Sequence, residues 1–200
     1  MQMYVTRHGQ TDWNIEKRLQ GRSDIPLNET GRAQARECGA ALQHAGIELI
    51  ITSPLSRAAE TGEIIRRFAG DVPLIHDELL LERDFGTMNG EVVDERDAEK
   101  WPPEVGAESK ESLNRRLWTA MENYRRAYPD KTILVVTHGA ALHSLLNQVM
   151  GGKLSIRPAE LKNGGVNCIE YVDRPEMRLF NLSAEEYAVQ VAEARMSAIN

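Results

Sequence analysis

The stretch Gln2-Met3-Tyr4-Val5-Thr6-Arg7-His8-Gly9-Gln10-Thr11-Asp12-Trp13-Asn14 decides how the rest of this chain is read. Its apolar run is too short for a helix and reads as a buried strand. Gly9 breaks the run and allows a close backbone approach. A guanidinium, Arg7, and an imidazole, His8, therefore stand together at the carboxyl end of a strand, where ligand crevices form in open α/β sheets. Alone, an Arg–His pair is ordinarily a surface pair or a satisfied core histidine. A similar junction far down the chain, Val136-Thr137-His138-Gly139, weakens that ordinary reading.

Outward from this strand, residues 11–27 form a long polar loop carrying Asn14, Gln20 and Gly21. Asn28 caps a helix with Ala35, Cys38, Leu42 and Ala45 at helical spacing, stopped by Gly46. Leu49 to Thr52 is a second buried strand. Ser53-Pro54 then opens a helix, with Ser as cap and Pro at the first helical position, running to about Phe68. Arg57 falls in its first turn, adding a full charge where a helix terminus already favours an anion. Val72 to His76 is a third strand. Glu82, directly after three leucines, is either an exposed loop carboxylate or a partly desolvated acid.

Residues 87–107 read as an irregular excursion over the carboxyl edge of the sheet. Leu113, Leu117, Ala120 and Tyr124 mark an amphipathic helix. Ile133 to Thr137 is a central parallel strand, and the following helix buries Leu142, Leu145, Leu146 and Val149. Val166 to Val172 reads as the last strand, and Ser183-x-x-Glu186 is a capping box opening a terminal helix. Strands alternating with helices imply an α/β domain whose mostly parallel sheet is covered on both faces. No Pro/Gly/Ser-rich linker divides the 200 residues, so one domain, 1–200, is expected.

Composition excludes several classes. The formal net charge of −6 argues against general nucleic-acid binding, and no apolar run approaches membrane-spanning length. With a strand beginning almost at Met1, no signal peptide is expected in front of it. Cys38 and Cys168 have neither metal nor redox spacing and read as inert thiols in a reducing cytoplasm. The doublets Arg66-Arg67, Arg115-Arg116 and Arg125-Arg126 read as solvated helix faces. Nucleotide-cradle motifs and a Gly-x-Ser-x-Gly elbow are absent from the sequence. His44, His76 and His143 read as ordinary surface or capping histidines, and oligomeric state, monomer or homodimer, is not legible. Trp13, Met88 and Trp101 could touch an organic moiety, but core packing is the ordinary fate of such residues.

Three strand-to-helix junctions thus present Arg7-His8, Arg57 and His138 at one sheet edge. Two guanidiniums suit an oxyanion, and one imidazole can act as nucleophile, so a phosphoryl group is the simplest ligand. Thr6-Arg7-His8-Gly9-Gln10-Thr11, Arg18-Leu19-Gln20-Gly21, Ser53-Pro54-Leu55-Ser56-Arg57-Ala58-x-x-Thr61, Glu82-x-x-Phe85-Gly86 and Val136-Thr137-His138-Gly139, in that order, resemble the histidine phosphatase superfamily. The resemblance implies a three-layer α/β/α sandwich of the phosphoglycerate mutase type, with an antiparallel edge strand. It implies His8 as nucleophile, Glu82 as general acid and base, and Arg7, Arg57 and His138 on the phosphoryl oxygens. Asn14, Gln20, Gly21 and the Gly139 backbone would complete the substrate pocket.

A small-molecule phosphate ester is the implied partner, with no cofactor and no metal, since the guanidiniums supply the electrostatics. Asn89-Gly90 stands where many relatives carry Glu-Gly, and the basic insertion of glycolytic mutases is not visible between Arg96 and Ser109. Hydrolysis is therefore expected in the cytoplasm, with a phosphoglycerate mutase and a non-catalytic phospholigand-binding module as alternatives. Leaving-group specificity is expected in the 10–27 loop and the 87–108 segment.

Overall fold

The computed structural model describes residues 1–92 and 101–197. Six strands form one sheet: β1 (Gln2–Arg7), β2 (Leu49–Thr52), β3 (Leu74–His76), β4 (Thr132–Thr137), β5 (Val166–Tyr171) and β6 (Pro175–Leu182), in the order β3-β2-β4-β1-β5-β6. The first four are mutually parallel. β5 runs antiparallel to both β1 and β6. The antiparallel edge is thus a two-stranded hairpin. The sequence reading stops one strand short, because nearly every residue of β6 is half-buried and neither of its faces shows a clean apolar alternation.

Helices cover both faces: α1 (Asp12–Ile15), α2 (Glu29–Leu42), α3 (Ser56–Arg66), α4 (Lys110–Ala127), α5 (Gly139–Val149) and α6 (Ala184–Ser197). Successive strand residues point to opposite faces, so each central strand serves two cores. Met3, Val5, Ile51, Ile133 and Val135 pack with α4 and α5. Tyr4, Ile50, Leu134 and Val136 pack with α2, α3 and α6. Burial of each large aliphatic side chain contributes roughly 1.5–3 kcal/mol, which makes this run of β4 the anchor of the sandwich.

Register aligns the strand ends that matter. Arg7 pairs with Thr137, and Thr52 pairs with Val136. The chain continues the ladder for one more bond on each side, His8 N to Thr137 O at 2.9 Å and Ser53 N to Val136 O at 3.0 Å. Three crossovers therefore begin at one level of the sheet. Gly9 makes room there: a Cβ would lie 2.3 Å from the Gly31 carbonyl oxygen.

Some boundaries differ from expectation. α3 starts at Ser56, with Leu55 at the cap position and no side-chain cap bond. Ser53 is occupied elsewhere, and Asp24 Oδ1 accepts from Ser56 N at 2.7 Å instead. α2 ends at Leu42, before Gly46, and β3 begins at Leu74. The polar loop holds the short α1, whose cap is Thr11. The Ser183–Glu186 box is present, with bonds of 2.6 and 3.2 Å. Of the 87–107 excursion, residues 93–100 lie outside the described residues; 3-10 turns at Gly86–Met88 and Pro103–Val105 flank them. Among the described residues no helix is long and apolar enough to cross a membrane.

Candidate active site

His8 follows β1 and is 2 % exposed. Its Nδ1 lies 2.6 Å from the Gly9 carbonyl oxygen, which can only accept, so the proton sits on Nδ1 and the Nε2 lone pair is left over. Burial first, then the charges of Arg57 and Arg7, hold its pKa well below the ordinary imidazole value. The ring is therefore neutral. His138, the cap residue of α5, lies with its ring centroid 5.2 Å from that of His8. Its Nε2 is 2.7 Å from Ser53 Oγ, while Nδ1 is buried with no hydrogen-bond partner among the described residues. Burial, Arg57 and His8 also depress its pKa strongly.

Arg57 is fully buried in the first turn of α3. Its Nη1 donates to Ser23 O at 2.7 Å and its Nη2 to Gly21 O at 2.8 Å, so the polar loop wraps the guanidinium. Nε is buried without a partner among the described residues. Desolvation lowers its pKa to about 10, against the opposing pull of Glu82 and Asp24. Arg7 Nη1 donates to Leu161 O at 2.8 Å. Gly139 lets the Arg7 guanidinium lie close to the main chain: a Cβ at Gly139 would sit 3.3 Å from Arg7 Cζ.

Glu82 is buried, which settles the two readings of this carboxylate against the exposed one. Oε2 accepts from Ala140 N at 3.1 Å, and Oε1 accepts from Ala141 N and Arg83 N, both at 2.9 Å. Two of these donors are free amides of the first turn of α5, where an anion is favoured.

Arg7, His8, Asn14, Gln20, Glu82 and Gly139 all line one cleft of about 620 Å3, a size suited to a small molecule. Arg57 and His138 are fully buried and do not line it, although the His138 ring stands beside that of His8, which does, and Gly21 O accepts from Arg57 Nη2. Asn14 Oδ1 accepts from Thr11 N at 3.0 Å, and buried Gln20 Oε1 has no partner among the described residues. Trp13, Lys17, Arg18, Val92 and Arg157 form the outer wall. Trp13 is thus a cleft residue, not core packing. Met88 and Trp101 do pack, Trp101 edge-on to Phe85 at 6.3 Å. Asn89 closes the 84–89 turn, accepting from Phe85 N and donating to Asp84.

Three residues at the site escape the sequence reading. Ser53 reads as a helix cap but serves His138. Asn163 Nδ2 donates to His8 O at 2.8 Å, and Gly164 N donates to Arg7 O at 2.9 Å. Asn163-Gly164-Gly165 is a visible turn signal, but nothing local says that the turn holds a strand end 155 positions away. Among the described residues no group of three or more His, Cys, Asp or Glu side chains could hold a metal ion.

The histidine phosphatase superfamily (branch 1) profile matches residues 3–182. "Uncharacterized phosphatase PhoE" of Bacillus subtilis is 38% identical over 171 residues, covering 84% of this chain and 88% of the relative. "Probable phosphoglycerate mutase GpmB" of Photorhabdus laumondii is 33% identical over 188 residues, covering 88% and 87%. Among solved structures, Bacillus stearothermophilus YhfR superposes with a TM-score of 0.78 at 30% identity, covering 89% of this chain and 94% of that one. A mycobacterial glucosyl-3-phosphoglycerate phosphatase, solved with VO3, has a TM-score of 0.78 at 25% identity, covering 91% and 99%.

Proposed function

The chain belongs to the histidine phosphatase superfamily, and from that premise we propose that it is a metal-independent cytoplasmic phosphatase hydrolysing small phosphate monoesters through a phosphohistidine on His8. One observation carries the reading: His8 is a neutral imidazole whose Nδ1 is tied to Gly9 O, leaving Nε2 as nucleophile within the influence of the Arg57 and Arg7 charges.

Nε2 attacks phosphorus in line, the bond to the leaving oxygen breaks, and the Glu82 carboxyl gives that oxygen its proton. Water then attacks the phosphohistidine, Glu82 takes a proton from it, and the N–P bond breaks to release phosphate. The phosphoryl oxygens receive Arg7, Arg57 Nε and His138 Nδ1; the last two are buried atoms with no hydrogen-bond partner among the described residues. Ser53 Oγ accepts from Leu55 N at 3.4 Å, so its own proton is available to His138 Nε2, and this keeps the imidazole proton on Nδ1. Asn14 and Gln20 hydrogen-bond the substrate beside the phosphate. VO3 in the mycobacterial relative, a stand-in for a phosphoryl group, supports the same use of this fold.

Para-nitrophenyl phosphate should be hydrolysed with no loss to chelator. His8→Ala should abolish turnover and the acid-labile phosphoenzyme trapped by rapid quench. Chelator-sensitive activity, or turnover in His8→Ala, would overturn the mechanism. Likeness to the Photorhabdus protein favours a second reading, a phosphoglycerate mutase. That reading requires strong stimulation by 2,3-bisphosphoglycerate with little net phosphate release.

A further inference from the structure

We propose that Arg116 is a positioning residue for Glu82, acting through a clamp on the main chain that carries it; the proposal rests on the general-acid role given to Glu82 above. The Arg115-Arg116 doublet reads from sequence as a solvated face. Arg115 is exposed, but Arg116 turns inward, its side chain 14% exposed against 9% for Glu108. All five of its N–H groups are engaged. Nε donates to Glu108 Oε1 at 2.7 Å, and Nη2 donates to Glu108 Oε2 at 2.8 Å and to Glu82 O at 3.0 Å. Nη1 donates to Leu79 O at 2.9 Å and Leu81 O at 2.7 Å.

The segment so held needs holding. After the 3-10 turn Glu78–Leu80, residues 81–85 belong to no helix or strand, so their carbonyls lack a regular partner. Arg116 takes three of the four carbonyls from 79 to 82, and Thr137 Oγ1 donates to the fourth, Leu80 O, at 2.8 Å. Glu108 extends the clamp past Glu82. Its N donates to Asp84 O at 2.8 Å, its O accepts from Arg83 Nε at 2.8 Å, and its Oε2 accepts from Asp84 N at 3.4 Å. Burial pushes the Glu108 carboxyl up, but the Arg116 bonds and charge, together with the Asp84 amide and Arg22, hold it below the ordinary range.

Main chain up to Glu82 is thereby pinned to α4 by Arg116, and the main chain after it to Glu108, just ahead of that helix, while the Glu82 carboxylate is docked on α5. A proton donor must sit within hydrogen-bond reach of the leaving oxygen, and a displacement of about 1 Å can cost on the order of 100-fold. The clamp supplies that placement without touching substrate.

Leaving-group dependence separates this role from a merely structural one. Nitrophenolate departs without a proton, whereas an alkoxide needs one. The measurement is the ratio of kcat/KM for para-nitrophenyl phosphate to that for 2-phenylethyl phosphate. This ratio does not depend on how much of a preparation is folded. Glu82→Gln should raise it roughly 100-fold and Arg116→Lys roughly tenfold, with Glu108→Gln between Arg116→Lys and the parent. If Glu82→Gln raises the ratio and both clamp variants leave it within twofold, the clamp is structural and the proposal fails alone. If Glu82→Gln leaves it unchanged, Glu82 is not the acid, and the functional reading falls together with the clamp.

Discussion

The inner half of the cleft and its outer half are built from different material. On the inside, His8, Arg57, His138 and Glu82 are all buried, and each is tied to main chain or to another buried side chain. On the outside, Lys17 and Arg18 are exposed, and Trp13 is half-buried on a four-residue helix. Buried groups held at two or three points have one arrangement, which charge stabilisation requires. Exposed groups on a loop have several, which suits recognition that varies with the leaving group. On the mechanism proposed above, chemistry belongs to the sheet edge and selectivity to the 10–27 loop.

Arg57→Met should show the contrast most strongly. Turnover of any ester should fall on the order of 1,000-fold, because a donor to the phosphoryl group is lost. Stability should fall by roughly 1–3 kcal/mol for each carbonyl left without its donor, Ser23 O and Gly21 O. Steady-state assays beside denaturant melts test both halves; a comparable loss of turnover in Arg18→Met would erase the distinction between inner and outer walls. Ser53→Ala should lower kcat roughly 10- to 100-fold, by freeing the His138 ring and its tautomer, with KM little changed. A change confined to KM would contradict that.

The two neutral histidines also predict an acid sensitivity of the fold. Their pKa values are depressed on folding, so below about pH 6.5 the unfolded chain binds protons that the folded one does not. Stability is fully present above that pH and is lost as pH falls below it, by roughly 1 kcal/mol per pH unit for each ring. Urea titrations between pH 7 and 5.5 should give this slope, and His138→Asn should lessen it. An unaltered slope would mean that this ring is not neutral in the fold. The smallest effect belongs to the outer wall. Trp13→Ala should change kcat/KM less than tenfold, and unequally among esters. A uniform loss across esters would move Trp13 to the inner half.

Much of this was legible because the inner half sits at strand ends. Apolar runs of four to six residues stopping at Arg7-His8, Ser53 and His138-Gly139 mark those ends, and parallel pairing brings them level. Periodicity failed where its physical basis was weak. β6 is an edge strand with two half-buried faces, and Ser53-Pro54 imitates a helix start while its hydroxyl binds an imidazole 85 positions away. Arg116 imitated a solvated charge for a similar reason: nothing in an Arg-Arg doublet reveals that the second guanidinium meets a loop more than thirty residues earlier.

Local order in the chain determined the alternation of strands and helices, the apolar strand that anchors the sheet, and the residue types offered at each strand end. Those are properties of near neighbours, set by side-chain period and turn chemistry. Tertiary structure alone decided which nitrogen of His8 is free, that Arg57 and His138 are fully buried, and that an arginine on α4 grips the backbone of Glu82. Each of these depends on hydrogen bonds or burial created only when distant segments pack together, and a linear sequence does not carry such distances.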